Sequence, residues 1–167
     1  MSHVKAIRRA PRTRPPDLAI LATTVKIWGR ELGFQAVGIA DTDLAAVEPG
    51  LAAWLERGFA GELNYMRKHG AKRTRPASLV PGTLRVVSAR LDYRPDAADS
   101  WSILADGSKA FVARYALGRD YHKVLRGRLQ QLAERIEREI GEFGYRVFTD
   151  SAPVMEVELA RKAGLGW

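Results

Sequence analysis

The chain has 167 residues, enough for one domain with a substantial core, because a domain of about 150 residues buries roughly 70% of its unfolded surface. Hydrophobic content of 46% and charged content of 28% argue against disorder of the whole chain, and zero cysteines exclude disulfides, thiolate catalysis and any cysteine-ligated cluster held by this chain. Lys and Arg number 27 against 19 Asp and Glu, giving +8, and no apolar run approaches the ~20 residues that cross a bilayer, so a cytoplasmic protein with a polyanionic partner and no membrane contact is expected.

The excess charge starts at the beginning of the chain. Residues 1–16 hold Lys5, Arg8, Arg9, Arg12 and Arg14 without an acid, a basic tail that is either an RNA-attracting arm or a plain soluble extension. Pro11, Pro15 and Pro16 disfavour the amphipathic helix of a transit peptide. Asp17 then reads as an N-cap, and Leu18, Leu21, Val25, Trp28 and Leu32, at alternating spacings of three and four, predict a helix with one buried face that ends at Gly33. Phe34 to Ala40 predicts a short buried strand, and Leu44 to Arg57 a second helix.

Residues 58–82 are rich in Gly, Arg, Lys and Pro and predict a long functional loop, with a helix over Glu62 to His69. Lys68, Lys72, Arg73 and Arg75 form its basic run, fit either for RNA phosphate or for a solvated surface, and Tyr65 offers a stacking face. Strands are expected at Leu84 to Tyr93 and at Ala110 to Tyr115, across a polar connection that contains Pro95. On the second of these, Arg114 would be a cation inside a sheet, satisfied by a ligand phosphate or carboxylate or by an internal partner such as Asp150 or Glu156.

The longest predicted helix runs from Asp120 to Phe143, with Leu125, Leu129, Leu132, Ile136, Ile140 and Phe143 on one face and Gly144 closing it. Tyr145 to Thr149 predicts another strand, and Pro153 opens a last helix toward Ala163. The whole reads as a single compact α/β domain over residues 17–167, a mixed sheet flanked by helices. Asp150 falls where a strand meets a helix, the position of a helix cap and also of functional groups in α/β crevices.

Three blocks carry a specific resemblance: Ala113-Arg114-Tyr115-Ala116-Leu117-Gly118-Arg119-Asp120-Tyr121-His122-Lys123-Val124-Leu125-Arg126, then Asp150-Ser151-Ala152-Pro153-Val154-Met155-Glu156, then Ala163-Gly164-Leu165-Gly166-Trp167. Over residues 18–167 the chain resembles the N-terminal part of the epoxyqueuosine reductases. The wording from Arg73 to Gly82 is similar to that family too. The resemblance implies an oxidoreductase that reduces epoxyqueuosine to queuosine in the tRNA anticodon loop, with cobalamin and two 4Fe-4S clusters. It implies Asp150 as the proton donor to the epoxide oxygen. It also implies cobalamin contacts from Tyr121 and His122, to which the cation Arg114 is added, while Lys72, Arg73 and Arg75 are expected to face RNA. His122 is not assigned as a cobalt ligand.

Full-length relatives continue into a cysteine-rich ferredoxin-like region that this sequence lacks. The chain by itself is therefore expected not to turn over, and to need an electron donor and a cluster-bearing C-terminal partner. A non-catalytic basic RNA-binding α/β domain is the alternative from another class. A different corrinoid oxidoreductase, of the reductive dehalogenase kind, fits the basic loop and tail less well.

Overall fold

The computed structural model describes residues 16–93 and 96–166. The basic tail up to Pro15, Pro95 in the polar connection and Trp167 of the closing motif lie outside the described residues.

Helix α1 (Leu18–Glu31) starts as its sequence requires, with the Asp17 carboxylate accepting from the amides of Ala19 at 2.9 Å and Ile20 at 3.2 Å. Two strands follow in the sequence, β1 (Ala36–Ala40) and, much later, β2 (Val86–Arg90), and they pair antiparallel with Gly38 opposite Ser88. Between them lie α2 (Glu48–Glu56), α3 (Asn64–Lys68) and α4 (Pro76–Leu79); after them come α5 (Ser100–Leu104), α6 (Tyr121–Ile140) and α7 (Glu156–Lys162).

The small sheet is covered on both faces because strand side chains alternate. Val37 joins Val25, Phe34 and Leu132 in the buried centre, with Ile39, Val87, Leu125, Leu129 and Ile136 packed around them, so the apolar stripes of α1 and α6 meet on one face. On the other face α7 contacts both strands and buries Leu159 to 2% exposure. Gly38 permits that approach: a Cβ placed there would stand 2.5 Å from the Ala163 carbonyl oxygen and 2.7 Å from its Cβ, so the Ala163-Gly164-Leu165 turn rests on bare backbone. Polar ties hold the layers in register. Arg128 donates to the Gly33 carbonyl at 3.2 Å, Arg135 pairs with Glu31 at 2.5 Å, and Lys162 pairs with Asp41.

The α/β class stands, and the fold corrects several details of the sequence reading. Among the described residues the sheet is two-stranded and antiparallel, where a mixed sheet is expected. Residues 110–115 and 145–149 have the β-branched and aromatic content of strands but no neighbouring ladder to pair with, and strand preference depends on that context. Arg114 consequently lies in a 3-10 turn (Arg114–Ala116), half-buried, and not on an inner strand. The segment 58–82 is not one irregular loop, since α3, a 3-10 turn at Gly70–Arg73 and α4 run through it and Ala60, Arg73, Thr74 and Pro76 are buried. Helix α6 ends at Gly141 instead of Gly144, because φ of 84° there lets the chain leave the helix while its amide still bonds Glu137 at 2.8 Å. Helix α7 begins three residues after Pro153, where the Met155 amide is bonded to the Arg73 carbonyl at 3.2 Å.

Candidate functional site

The N-terminus of α6 is set by Asp120, whose carboxylate accepts from the His122 amide at 3.0 Å and lies 3.1 Å from His122 Nδ1. This cap places Tyr121 and His122 in the first helical turn, where their rings stack with centroids 4.0 Å apart. Both reach Asp150. The Tyr121 hydroxyl donates to Asp150 Oδ2 at 2.5 Å, and His122 Nε2 stands 3.4 Å from the same oxygen. The His122 imidazole thus lies between two carboxylates, Asp120 and Asp150, and its side chain stays 43% exposed.

Asp150 has φ of 56°, the one non-glycine residue in the left-handed region among the described residues. Aspartate tolerates that region better than most residues. Strain of this kind persists where surrounding contacts over-determine it and is enriched at functional positions. The contacts here are Tyr121 and His122 at the carboxylate, with the Glu156 carboxyl of the first turn of α7 close enough to feel the Asp150 charge. Desolvation raises the Glu156 carboxyl above its ordinary value and the nearby Asp150 charge adds to this, although the residue as a whole lies at the surface.

The hydrogen bond to Asp150 pushes the Tyr121 hydroxyl up from 10.0 to about 12, since ionising it would break that bond and set two negative charges together. A raised value means that the folded state holds the proton more tightly than the unfolded chain. The pairing therefore contributes its full stability below pH ~10 and loses it as pH rises toward about 12. The tyrosinate absorbance of the wild type minus that of Tyr121→Phe is expected to show one phenol titrating near 12, falling only part of the way toward 10.0 in Asp150→Asn, which removes the charge but keeps an acceptor. A midpoint near 10.0 in the wild type would contradict the pairing.

The basic run divides. Lys72 is exposed, whereas Arg73 turns inward to 7% exposure, donating to the carbonyls of Met66 at 3.2 Å and Tyr65 at 2.8 Å with its guanidinium 5.8 Å from the Tyr65 ring. Arg75 pairs in a fork with Glu48, at 3.1 Å through Nε and 2.7 Å through a terminal nitrogen, and Thr74 lies 2.8 Å from the same carboxylate. The Arg75 bond comes first in holding Glu48 below the usual carboxylate range. A cleft of about 350 Å³ opens beside this pair, lined by Thr42, Leu44, Glu48, Thr74 and Arg75, and it includes none of Tyr121, His122 and Asp150.

Structure thus brings Tyr121, His122 and Asp150 together and leaves Lys72, Arg73 and Arg75 as a separate group with three different environments. Two tyrosines that sequence reasoning passes over also join the site. Tyr115 packs edge-on against Tyr121 with centroids 5.9 Å apart, and Tyr93 packs edge-on against Tyr115 at 6.4 Å. Glu156, which the sequence offers as a partner for Arg114, lies instead within the electrostatic reach of Asp150.

An α/β domain with a strained aspartate clamped by a tyrosine and a histidine is the class that the fold and site define. Its architecture is shared with a solved epoxyqueuosine reductase from Streptococcus thermophilus, with a TM-score of 0.69 at 21% identity, over 87% of this chain and 39% of that one. Residues 73–151 match the family described as epoxyqueuosine reductase QueG, DUF1730. Curated epoxyqueuosine reductases are similar along nearly the whole chain: that of Pseudomonas aeruginosa is 60% identical over 95% of this chain, that of Burkholderia pseudomallei 60% over 96%, and that of Escherichia coli 52% over 93%. The chain is similar to the N-terminal region of the epoxyqueuosine reductases, as the three sequence blocks imply. It spans 44% of the P. aeruginosa relative's length, 43% of the B. pseudomallei relative's and 41% of the E. coli relative's.

Proposed function

We propose that this chain is the cofactor- and substrate-binding portion of an oxidoreductase that reduces epoxyqueuosine to queuosine in a tRNA anticodon loop, acting in the cytoplasm. The observation that carries this reading is Asp150, held in a left-handed backbone and clamped at one carboxylate oxygen by Tyr121, in a chain 60% identical to curated epoxyqueuosine reductases. Residues 17–167 act as one domain, and the basic residues 1–16 add to its attraction for RNA.

Removing an epoxide oxygen takes two electrons and two protons and yields an alkene and water. Asp150, ionised in the free site, takes up a proton as substrate closes the site and passes it from Oδ1 to the departing oxygen while Oδ2 accepts from Tyr121. The second proton of the water comes from solvent. When the transfer returns Asp150 to its carboxylate form, the Tyr121 hydrogen bond strengthens again, so the tyrosine stabilises the charge left by proton transfer. His122, between Asp120 and Asp150, orients the same carboxylate.

The residues present fit cobalamin by their chemistry. Phe111, Val112 and Leu117 are exposed beside Arg114 and offer apolar contact to a corrin face, and Arg114, Tyr121 and His122 offer donors to its amide and phosphate groups. When bound, cobalamin supplies the low-potential electron chemistry. The two 4Fe-4S clusters do not fit these residues, which include zero cysteines to ligate them, so the electrons come from a donor through a cluster-bearing C-terminal portion or partner. Among the described residues no group of His, Cys, Asp and Glu could hold a metal ion, and no helix is long and apolar enough to cross a membrane.

The test is titration of the purified chain with cob(II)alamin, read by visible absorbance and electron paramagnetic resonance. Saturable uptake that weakens in Tyr121→Ala is expected. Absence of uptake at high protein concentration would overturn the assignment of the cofactor site to this chain.

A further inference from the structure

Beyond the Tyr121–Asp150 pair, two exposed aromatic rings continue the site outward. Tyr115 is 52% exposed and Tyr93 66% exposed, and their successive edge contacts, at 6.4 Å and 5.9 Å, lead from the surface to Tyr121. In each contact the rings are almost perpendicular, 89° and 88° apart, so the edge of one meets the face of the next. Among the described residues Tyr115 is the one ring that Tyr93 meets, and a single edge contact leaves this outer ring a face on which a base can stack.

Near Tyr115 and Tyr121 the charge is mixed, with the cations in excess along the chain. From Arg114 to Arg126 the chain carries Arg114, Arg119, Lys123 and Arg126 against Asp120, while Asp92 beside Tyr93 pairs with Arg90 at 3.3 Å and Lys109 pairs with Asp106 at 2.7 Å. Asp120 is moreover occupied as the cap of α6 and as the partner of His122. Aromatic faces set among cations suit unpaired nucleotides, whose bases stack while their phosphates meet the basic side chains. A duplex would engage the cations but has no splayed base for the rings.

We infer that Tyr93 and Tyr115 form a stacking platform for unpaired bases of single-stranded RNA, guiding the target nucleotide toward Asp150. This inference rests on the reading of the site as an RNA-modifying one, and it assigns base recognition to two residues outside the Tyr121–His122–Asp150 cluster. It separates base stacking, at the tyrosines, from phosphate attraction, at the cations.

The experiment measures binding of the full chain to two fluorescein-labelled RNAs, an unmodified hairpin with a seven-nucleotide loop and a blunt duplex of the same length, across a salt series. Tyr115→Ala and Tyr93→Ala are expected to weaken hairpin binding about tenfold each and to leave duplex binding within about twofold. Tyr115→Phe, which keeps the ring, is expected to bind as the wild type does, and the circular dichroism spectra of all variants are expected to match. Equal losses for hairpin and duplex would overturn the platform in favour of phosphate contact alone. Unchanged RNA binding with lost cob(II)alamin uptake would overturn it in favour of a corrin surface. Failure of the wild type to prefer hairpin over duplex would also overturn it, while saturable corrin uptake in the same preparation would leave the cofactor reading standing.

Discussion

Asp150→Asn is expected to lower the single-turnover rate of epoxide reduction by about 10²- to 10⁴-fold when cobalamin, epoxyqueuosine-containing tRNA and a low-potential chemical reductant standing in for the clusters are supplied, the range typical for loss of a positioned general acid. The substitution isolates the proton. Asparagine has nearly the same shape and, like aspartate, tolerates the left-handed backbone that Asp150 occupies at φ of 56°. Its carboxamide still accepts from the Tyr121 hydroxyl, so the contact made at 2.5 Å has a substitute. What it lacks is an acidic proton to place on the departing oxygen. Asp150→Ala would confound the result, because it removes the acid, the Tyr121 partner and a residue suited to positive φ together. Tyr121→Phe is expected to lose less than Asp150→Asn, since it only withdraws one hydrogen bond from the carboxylate formed in the reaction. A loss below tenfold for Asp150→Asn, with corrin and RNA binding intact, would remove Asp150 from the role of acid.

The parts of the fold visible in the sequence are those decided locally. The Asp17 cap and the Leu18–Leu32 stripe specify α1, and the Leu125–Ile140 stripe specifies α6, because helix periodicity and capping are properties of neighbouring residues. Strand β1 is legible for a similar reason, as an apolar run between Gly33 and a polar turn. The segments 110–115 and 145–149 mislead because a strand needs a partner, and no local feature says whether one is adjacent. The site follows the same division. Asp120 as a helix cap can be read from sequence. The Tyr121–Asp150 bond spans 29 residues and the His122–Asp150 approach 28, and only the packing of the 150–156 segment against the start of α6 creates them. Here the family resemblance, carried by the words around Tyr121 and Asp150, joined two blocks that spacing alone could not. It assigns no role to Tyr115, although that residue lies in the first block, and none to Tyr93, because the two follow no periodic pattern and meet only in space.

Arg73 is the residue for which composition misleads most, and Arg73→Ala is expected to destabilise the domain by about 3 kcal/mol. In the run Lys72-Arg73-Thr74-Arg75 every cation looks alike, and a run of this kind is usually a solvated face. Arg73 instead has 7% exposure, and it satisfies its charge with the carbonyls of Tyr65 and Met66 and with the face of the Tyr65 ring. Hydrogen bonds to a charged group contribute about 1.5–3 kcal/mol each, and truncation also leaves two carbonyls short of a donor and a cavity beneath α3. For a domain of this size such a loss lowers Tm by about 6–12 °C. Arg73→Lys is expected to recover less than half, since an ammonium lacks the planar fork that reaches both carbonyls. The consequence extends to Asp150. The Arg73 carbonyl accepts from the Met155 amide at 3.2 Å, which ties down the short segment between Asp150 and the start of α7. Loosening Arg73 is therefore expected to release the Tyr121–Asp150 pairing as well, and the tyrosinate titration of Arg73→Ala, followed below its lowered Tm, moves from about 12 toward the ordinary phenol value. A variant that melts early but keeps that titration would show Arg73 to be a support of α3 alone, with no hold on the position of the acid.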